Sequence, residues 1–387
     1  MRTFFSFFAL FFYLLTNNFA FAQYCERLLH RAADFETRAL QEIDEIKILT
    51  YNVYNFDDSS DHRTKREGIK RTEDWQKKAI AESVRKADIA VFQEVLGDDT
   101  VPRFLKDYLD DEYTFLSIKG NDGRGIQIAF LIKKDLPFDI DLQTYRDETW
   151  VDPTSRKKTK TKLFSRDLPI IVVRPAQKES VAAGNMNRHP LFLLAGTHFK
   201  SKRPRSGDPE SFIMRGAQVK RAAEIFGDLE NQYPDTPMLL AGDFNGRIHL
   251  EDTFKPLWQG GMIDLLDVEN GSEVEAKPIN ERYTYVFHES KGSAVLEQID
   301  AIVSTDPRIG QTAMVLRPAD RERKPSDHFP ILSTLDFKKI LAIHSGQAKP
   351  LRLEEKESYY AKAVRFINER RFREQMNHTL GNWSEPD

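Results

Sequence analysis

Apolar residues along this chain fall into short continuous runs separated by stretches of helical spacing. "IKILTYNVYNF" (46–56) predicts a strand. "RTEDWQKKAIAESVRKA" (71–87) opens on Thr72 and puts Trp75, Ala79, Ile80 and Val84 on one face, as a helix would. "DIAVFQEV" (88–95) and "GIQIAFLIKK" (125–134) predict buried strands. "TSRKKTKTKLFSRD" (154–167) is basic and aperiodic, an exposed loop or hairpin leading into the strand "LPIIVV". A strand ending in a basic loop follows in "HPLFLLAGTHFKSK" (189–202), and then an amphipathic helix in "FIMRGAQVKRAAEIFGDL" (212–229). "PMLLAGDFNGR" (237–247) is strand and then polar turn, and "ERYTYVF", "LEQIDAIVS" and "FPILSTL" make the C-terminal half strand-rich. Strands alternate with helices early and follow one another late, with no repeat and no long linker. That order predicts one mixed α/β domain with both parallel and antiparallel pairing.

The polar residues that interrupt this pattern are not scattered. "ILTY" ends in Asn52, "IAVFQ" in Glu94, "FLLAGT" in His198, and "MLLAG" in Asp243 and Asn245. Open α/β sheets place their sites at the carboxyl ends of strands. Four such endings predict a single edge loaded with oxygen and nitrogen ligands. Asp300 and Asp327-His328 instead precede their strands, so they reach the same edge only if those strands run the opposite way. Asp243 and Asn245 are two apart, and on an extended backbone they face one side while Phe244 turns into the packing. "GDFN" alone fits an Asx turn equally well. Glu94 closing an apolar run is unfavourable unless paired, metal-bound or solvated. Carboxylate and amide oxygens suit Mg²⁺ or Mn²⁺. His198 and His328 can act as acid or base near neutral pH, although an isolated histidine is more often structural. Zinc is disfavoured by the lack of HExxH or a cysteine pair, and no G-x-S-x-G, Walker or dinucleotide motif occurs.

Composition adds a compartment. The N-terminus has Arg2, an apolar run from Phe4 to Leu15 and the sequence Ala20-Phe21-Ala22, the pattern of a secretory signal peptide cleaved after Ala22. Asn17-Asn18 break the run before it reaches the ~20 residues a membrane span needs. The expected product is secreted or periplasmic, with no membrane anchor after cleavage. Cys25 is the single cysteine among 387 residues, so no intrachain disulfide forms and the fold relies on its core. With 57 Lys+Arg against 60 Asp+Glu, no overall charge pulls the chain toward nucleic acid, and any such case rests on local patches. Residues 23–44 keep helical spacing through Leu28, Leu29, Ala32, Phe35, Ala39, Leu40 and Ile43. Near the other end, 351–376 reads as a solvated helix or a flexible tail.

Taken in order, "LTYNVYNF", "VFQEV", "GTHFKSK", "GDFNGR", "EQIDAIVS" and "SDHFPIL" resemble the endonuclease/exonuclease/phosphatase family, which includes pancreatic-type deoxyribonucleases, apurinic endonucleases, sphingomyelinases and inositol-phosphate phosphatases. The resemblance covers 45–337, leaving a signal peptide (1–22), an N-terminal helix (23–44) and a C-terminal helical extension (338–387) outside it. It implies a four-layer α/β sandwich, two mixed β-sheets face to face flanked by helices, and Mg²⁺-dependent hydrolysis of phosphate esters. By the same resemblance, Glu94 is the central metal ligand with Asn52 beside it, and Asp327 serves the metal site or water activation. Asp243 and Asn245 position water and phosphate, and His328, oriented by Asp300, acts on the nucleophile or the phosphorane. His198 matches the second histidine of the pancreatic-type nucleases and sphingomyelinases and argues against the apurinic branch.

Three basic stretches are expected to border the site: Arg156 to Arg166, "FKSKRPR" (199–205) and "RPADRERKP" (317–325). Arg124 and Lys200 are the expected phosphate contacts, with Asn245. Basic loops around one edge of a near-neutral protein fit nucleic-acid binding through phosphates. The leading expectation is a nuclease acting on DNA, with no stable protein partner implied. A lipid or small-molecule phosphodiesterase or phosphatase is the alternative, and an inactive family member acting as a binding protein is the third.

Overall fold

The computed structural model describes residues 39–60, 70–176, 189–274, 277–288, 294–318 and 323–349, together with 351 and 355. The signal peptide, most of the expected 23–44 helix and nearly all of the 351–376 segment lie outside these residues. Of the former, Leu40–Glu42 forms a 3-10 turn, and Leu40 and Ile43 are buried.

Twelve strands form two six-stranded sheets. They are β1 (Glu45–Asp57), β2 (Ile89–Leu96), β3 (Tyr113–Ile118), β4 (Gln127–Lys133), β5 (Phe138–Gln143), β6 (Ile170–Pro175), β7 (Phe192–His198), β8 (Met238–Asp243), β9 (Ile263–Asp264), β10 (Asp300–Ser304), β11 (Gly310–Val315) and β12 (Ile331–Asp336). The first sheet runs β11-β12-β1-β2-β4-β3 and the second β9-β10-β8-β7-β6-β5. β1 pairs parallel to β2, and β7 parallel to β8. β12 and β10 return antiparallel onto β1 and β8. The late strands therefore run opposite to the early ones, as the positions of Asp300 and Asp327-His328 required.

Strands buried on both faces explain the near-continuous apolar runs. Side chains alternate across each strand, so Ile48, Val91, Phe130, Leu194, Leu239 and Ile302 meet between the two sheets. The opposite face of the first sheet, with Leu49, Tyr51 and Phe92, packs on helices α1 (Asp74–Val84) and α2 (Thr100–Tyr108) through Ile80, Val84 and Phe104. The opposite face of the second sheet, with Leu193, Leu240 and Val303, packs on α3 (Phe212–Gln232) through Val219, Ile225 and Phe226. The result is helix, sheet, sheet, helix, the four-layer α/β sandwich expected. Phe337–His344 forms a further helix whose Phe337, Ile340 and Ile343 join the inter-sheet core.

Two strand expectations are corrected. "LEQIDAIVS" is not one strand. Ala294–Glu297 pairs with Tyr285–His288 in a separate hairpin, and the chain then turns at Gln298 and Ile299 before β10 joins the sheet. "ERYTYVF" begins as a helical turn, Ile279–Arg282, because Arg282 is drawn inward to Asp264 and Asp267. The basic segment behaves as expected: Lys160–Lys162 pairs with Thr149–Val151 as a hairpin. Among the described residues no helix is long and apolar enough to cross a membrane.

Candidate active site

The carboxyl ends of β1, β2, β7 and β8 and the amino ends of β10 and β12 meet at one edge of the sandwich. There they floor an open cleft of about 820 Å³. Strand register alone sets Asp243 directly opposite both His198 and Asp300. The first sheet contributes from the facing side. Asn52 Nδ2 donates to Asp243 Oδ2 at 3.0 Å and so links the two sheets. Ser326 Oγ donates to the carbonyl of Asn52 and accepts from the backbone of His328, fastening the "SDH" loop to β1.

Asn245 has φ 54°, so it reaches Asp243 through a left-handed turn and not along an extended strand. Its backbone N–H donates to Asp243 Oδ1 at 2.7 Å, and its side-chain amide to Oδ2 at 2.9 Å and to the Phe199 carbonyl at 3.0 Å. Phe244 turns into the core as expected. Glu94 is held by a second irregularity, a bulge where β1 and β2 lose register between Asn52 and Phe56. In that bulge the Asn55 N–H donates to Glu94 Oε2 and the Tyr54 N–H to Asn52 Oδ1, each at 3.0 Å.

His328 and Asp300 form a buried dyad, with Nδ1 and Oδ2 2.8 Å apart. Asp300 is itself fixed by Thr284, whose hydroxyl oxygen accepts from the backbone of Ile299 and Asp300. The other imidazole nitrogen, Nε2, lies 4.0 Å from both Asp243 and Asp327. Burial alone would lower the His328 pKa, but Asp300, with Asp243 and Asp327, outweighs it and pushes it up to about 10. His198 differs. Its Nε2 is 3.5 Å from Asp243 Oδ2 and 3.8 Å from Glu94 Oε1, while its Nδ1 is buried without a hydrogen-bond partner among the described residues. Burial, reinforced by Arg166, His328, Arg124 and Lys200, drives it well below the ordinary imidazole value, so it is neutral. Burial also raises Asp243, to about 7. The two histidines thus sit in opposite protonation states on either side of one carboxylate.

In the cleft, two donor groupings are candidates for a metal. Asp243, Asp300 and His328 bring ligand atoms within 4.8 Å of one another. Those atoms are largely committed, to the His328–Asp300 bond and to the amides of Asn52 and Asn245. Glu94 and Asp327 are freer: both line the cleft, with side chains 17% and 42% exposed. Asp327 is raised by burial, and the like charge of Glu94 adds to the rise. The buried Asn55 Oδ1, next to Glu94, has no hydrogen-bond partner among the described residues. Two carboxylates lining one cleft with an orphaned amide oxygen are an all-oxygen donor set that fits a hard divalent cation.

Of the expected phosphate contacts, Arg124 and Lys200 both line the cleft. Arg124 is partly neutralised by Asp122 at 3.3 Å. Of the three basic stretches, Lys200, Lys202, Arg203 and Arg205 line the cleft, as does Arg166 at the end of the first. Arg317, Arg323 and Lys324 do not. They lie over the rings of Tyr283, Phe329 and Trp75, while Arg321 falls outside the described residues. Sequence reasoning gave no individual role to Arg166, Asp122, Thr284 or Ser326. A buried arginine held at 3.2 Å by an aspartate 44 positions away leaves no local pattern.

The Endonuclease/Exonuclease/phosphatase family model matches residues 49–328. No curated protein matches the chain. Among solved structures, the human Nocturnin catalytic domain with bound sulfate anion is similar at TM-score 0.50 and 15% identity, over 80% of this chain and 97% of that one. An endonuclease/exonuclease/phosphatase from Bacteroides vulgatus is similar at TM-score 0.49 and 17% identity, over 75% and 98%. Truncated TDP2 from Caenorhabditis elegans gives 0.46 and 18%, over 76% and 98%. The family match runs from β1 to His328 and covers well over half of the chain, so the chain belongs to the endonuclease/exonuclease/phosphatase family and is a metal-dependent phosphoric ester hydrolase.

Proposed function

We propose that this protein is a secreted or periplasmic Mg²⁺-dependent phosphodiesterase, a nuclease that hydrolyses DNA phosphodiester bonds. One observation carries this reading: a single cleft joins the carboxylate and histidine cluster to the cations Arg124, Arg166, Lys200 and Arg203. A phosphodiester seated on the cluster can extend its backbone onto those cations. Export rests on the N-terminal leader, and its check is that the exported protein begins at Gln23.

Glu94 and Asp327 would hold the ion, with Asn52 beside them. When bound, it neutralises charge on the phosphate. Asp243, fixed by the two amides, and neutral His198 stand where a proton can be taken from the attacking water. His328, charged through Asp300, offers its free Nε2–H to the developing phosphorane or the leaving oxygen. The proton lost by water and the proton given to the leaving group thus belong to different residues. Asn245 orders Asp243 next to the phosphate, and Lys200 and Arg124 neutralise the anion from the cleft wall.

Purified mature protein should be incubated with plasmid DNA, RNA, bis-p-nitrophenyl phosphate and sphingomyelin, with Mg²⁺ or with EDTA. Mg²⁺-dependent loss of DNA, abolished by EDTA, is expected. Phosphocholine release with intact DNA would sink the nuclease assignment.

A further inference from the structure

The cleft has an apolar surface that the hydrolytic machinery does not use. Tyr54 and Phe287 are 53% and 48% exposed, among the few large hydrophobic side chains left in solvent, and both line the cleft. Tyr285 lines it too. Tyr285 and Phe287 are two apart on one strand and so face the same side. The Tyr285 ring lies 5.1 Å from the His328 ring, tilted by 50°. A row of rings thus leads from the dyad histidine out to solvent.

Tyr54 comes from the other sheet. It and Asn55 both sit at φ 51°, a conformation that non-glycine residues hold only where their surroundings enforce it. The enforcement is visible in the bonds from Tyr54 N–H to Asn52 and from Asn55 N–H to Glu94. The same kink that delivers a donor to Glu94 turns the Tyr54 ring outward at the mouth of the cleft. Lys200 and Arg203 also line this cleft, and neither has a carboxylate partner among the described residues. A ligand that matches both surfaces carries a flat ring and an anionic backbone.

We infer that Tyr54, Tyr285 and Phe287 form a stacking subsite for the base beside the scissile phosphate, so that the preferred substrate is a single-stranded nucleic acid. This rests on the nuclease assignment and narrows it. A base can lie on a protein ring only once it has left its own stack.

The test compares kcat/KM for a thymidine dinucleotide with that for the same diester carrying an abasic sugar in place of one nucleoside. Wild-type protein should prefer the base-bearing diester by about 5- to 150-fold, the range expected of one base–aromatic stack. Phe287→Ala and Tyr54→Ala should each pull the ratio toward one, and Phe287→Trp should keep it. Equal cleavage of both diesters by wild type, or an undiminished ratio in both alanine variants, overturns the stacking subsite and leaves the nuclease assignment standing. Cleavage of neither diester alongside phosphocholine release from sphingomyelin overturns both.

Discussion

Asp300→Asn removes one charge and almost no volume, which makes it the sharpest probe of the dyad. Asp300 Oδ2 meets His328 Nδ1 at 2.8 Å, both groups are buried, and among the described residues no other carboxylate lies so close to that imidazole. An asparagine that presents its oxygen keeps the hydrogen bond but not the charge. One that presents its nitrogen forces the other tautomer. In either case the largest charge that holds the imidazolium is gone, and burial, which already opposes it, lowers the His328 pKa from its raised value. A general acid or base in such a position contributes about 10² to 10⁴ in rate. The expected result is therefore a kcat lower by about that factor, with KM within about threefold of wild type. Loss of a charge-assisted hydrogen bond should lower stability by only about 1.5–3 kcal/mol, so the variant stays folded. Steady-state kinetics on bis-p-nitrophenyl phosphate at pH 7, with a thermal melt on the same sample, make the comparison. A folded variant that retained kcat within about threefold of wild type would show that His328 does not act through Asp300.

Glu94→Gln should abolish Mg²⁺-dependent hydrolysis. It should also remove the stabilisation that Mg²⁺ gives wild type, about 2.7 kcal/mol at a hundredfold excess over Kd, read as a shift in Tm. Lys200 is lowered to about 8 by burial and by the repulsion of Arg166, Arg205, Arg203 and Arg215. It is charged below that pH and neutral above it, so KM for a phosphodiester should rise as pH passes 8, and Lys200→Arg should flatten the rise. Gly242 has φ 151°, and a Cβ there would stand 1.9 Å from the Thr197 carbonyl oxygen, where β7 and β8 run side by side. Gly242→Ala should cost about 3 kcal/mol or more in urea unfolding, and a smaller loss would mean that these strands separate easily.

The strands that carry the site were legible because each is an apolar run broken by one polar residue, and their antiparallel return followed from the order of polar and apolar residues at Asp300 and Asp327-His328. β3, β5, β9 and β11 were not read. "FDIDLQ" alternates well but is six residues long with two of them charged, and it lies at the edge of its sheet. The turn at Gln298 inside "LEQIDAIVS" was hidden for a different reason. Gln298 leaves the strand to bond Asp264 at 2.7 Å, a partner 34 positions away. Asp243, His198, Glu94 and His328 were found because strand ends are local. Thr284, Ser326 and Arg166 were missed because they act by orienting something distant.

Two of the site's carboxylates depend on strained backbone. Glu94 and Asn55 on one sheet and Asn245 on the other all have positive φ without being glycine, and all three line the cleft. Such conformations cost on the order of 1–3 kcal/mol each. In two of them the strain aims a main-chain N–H at an acid, Asn55 at Glu94 and Asn245 at Asp243. A relaxed strand would send those amides into its ladder and leave the carboxylates to rotate. Burial raises Asp327 and Asp243, and like charges add to the rise, Glu94 and Asp300 for Asp327 and Asp300 for Asp243. The imidazolium of His328 offsets part of that charge, and the fixed backbone keeps the acids from turning away from one another. The sheets supply rigidity, and the bulges convert it into aim.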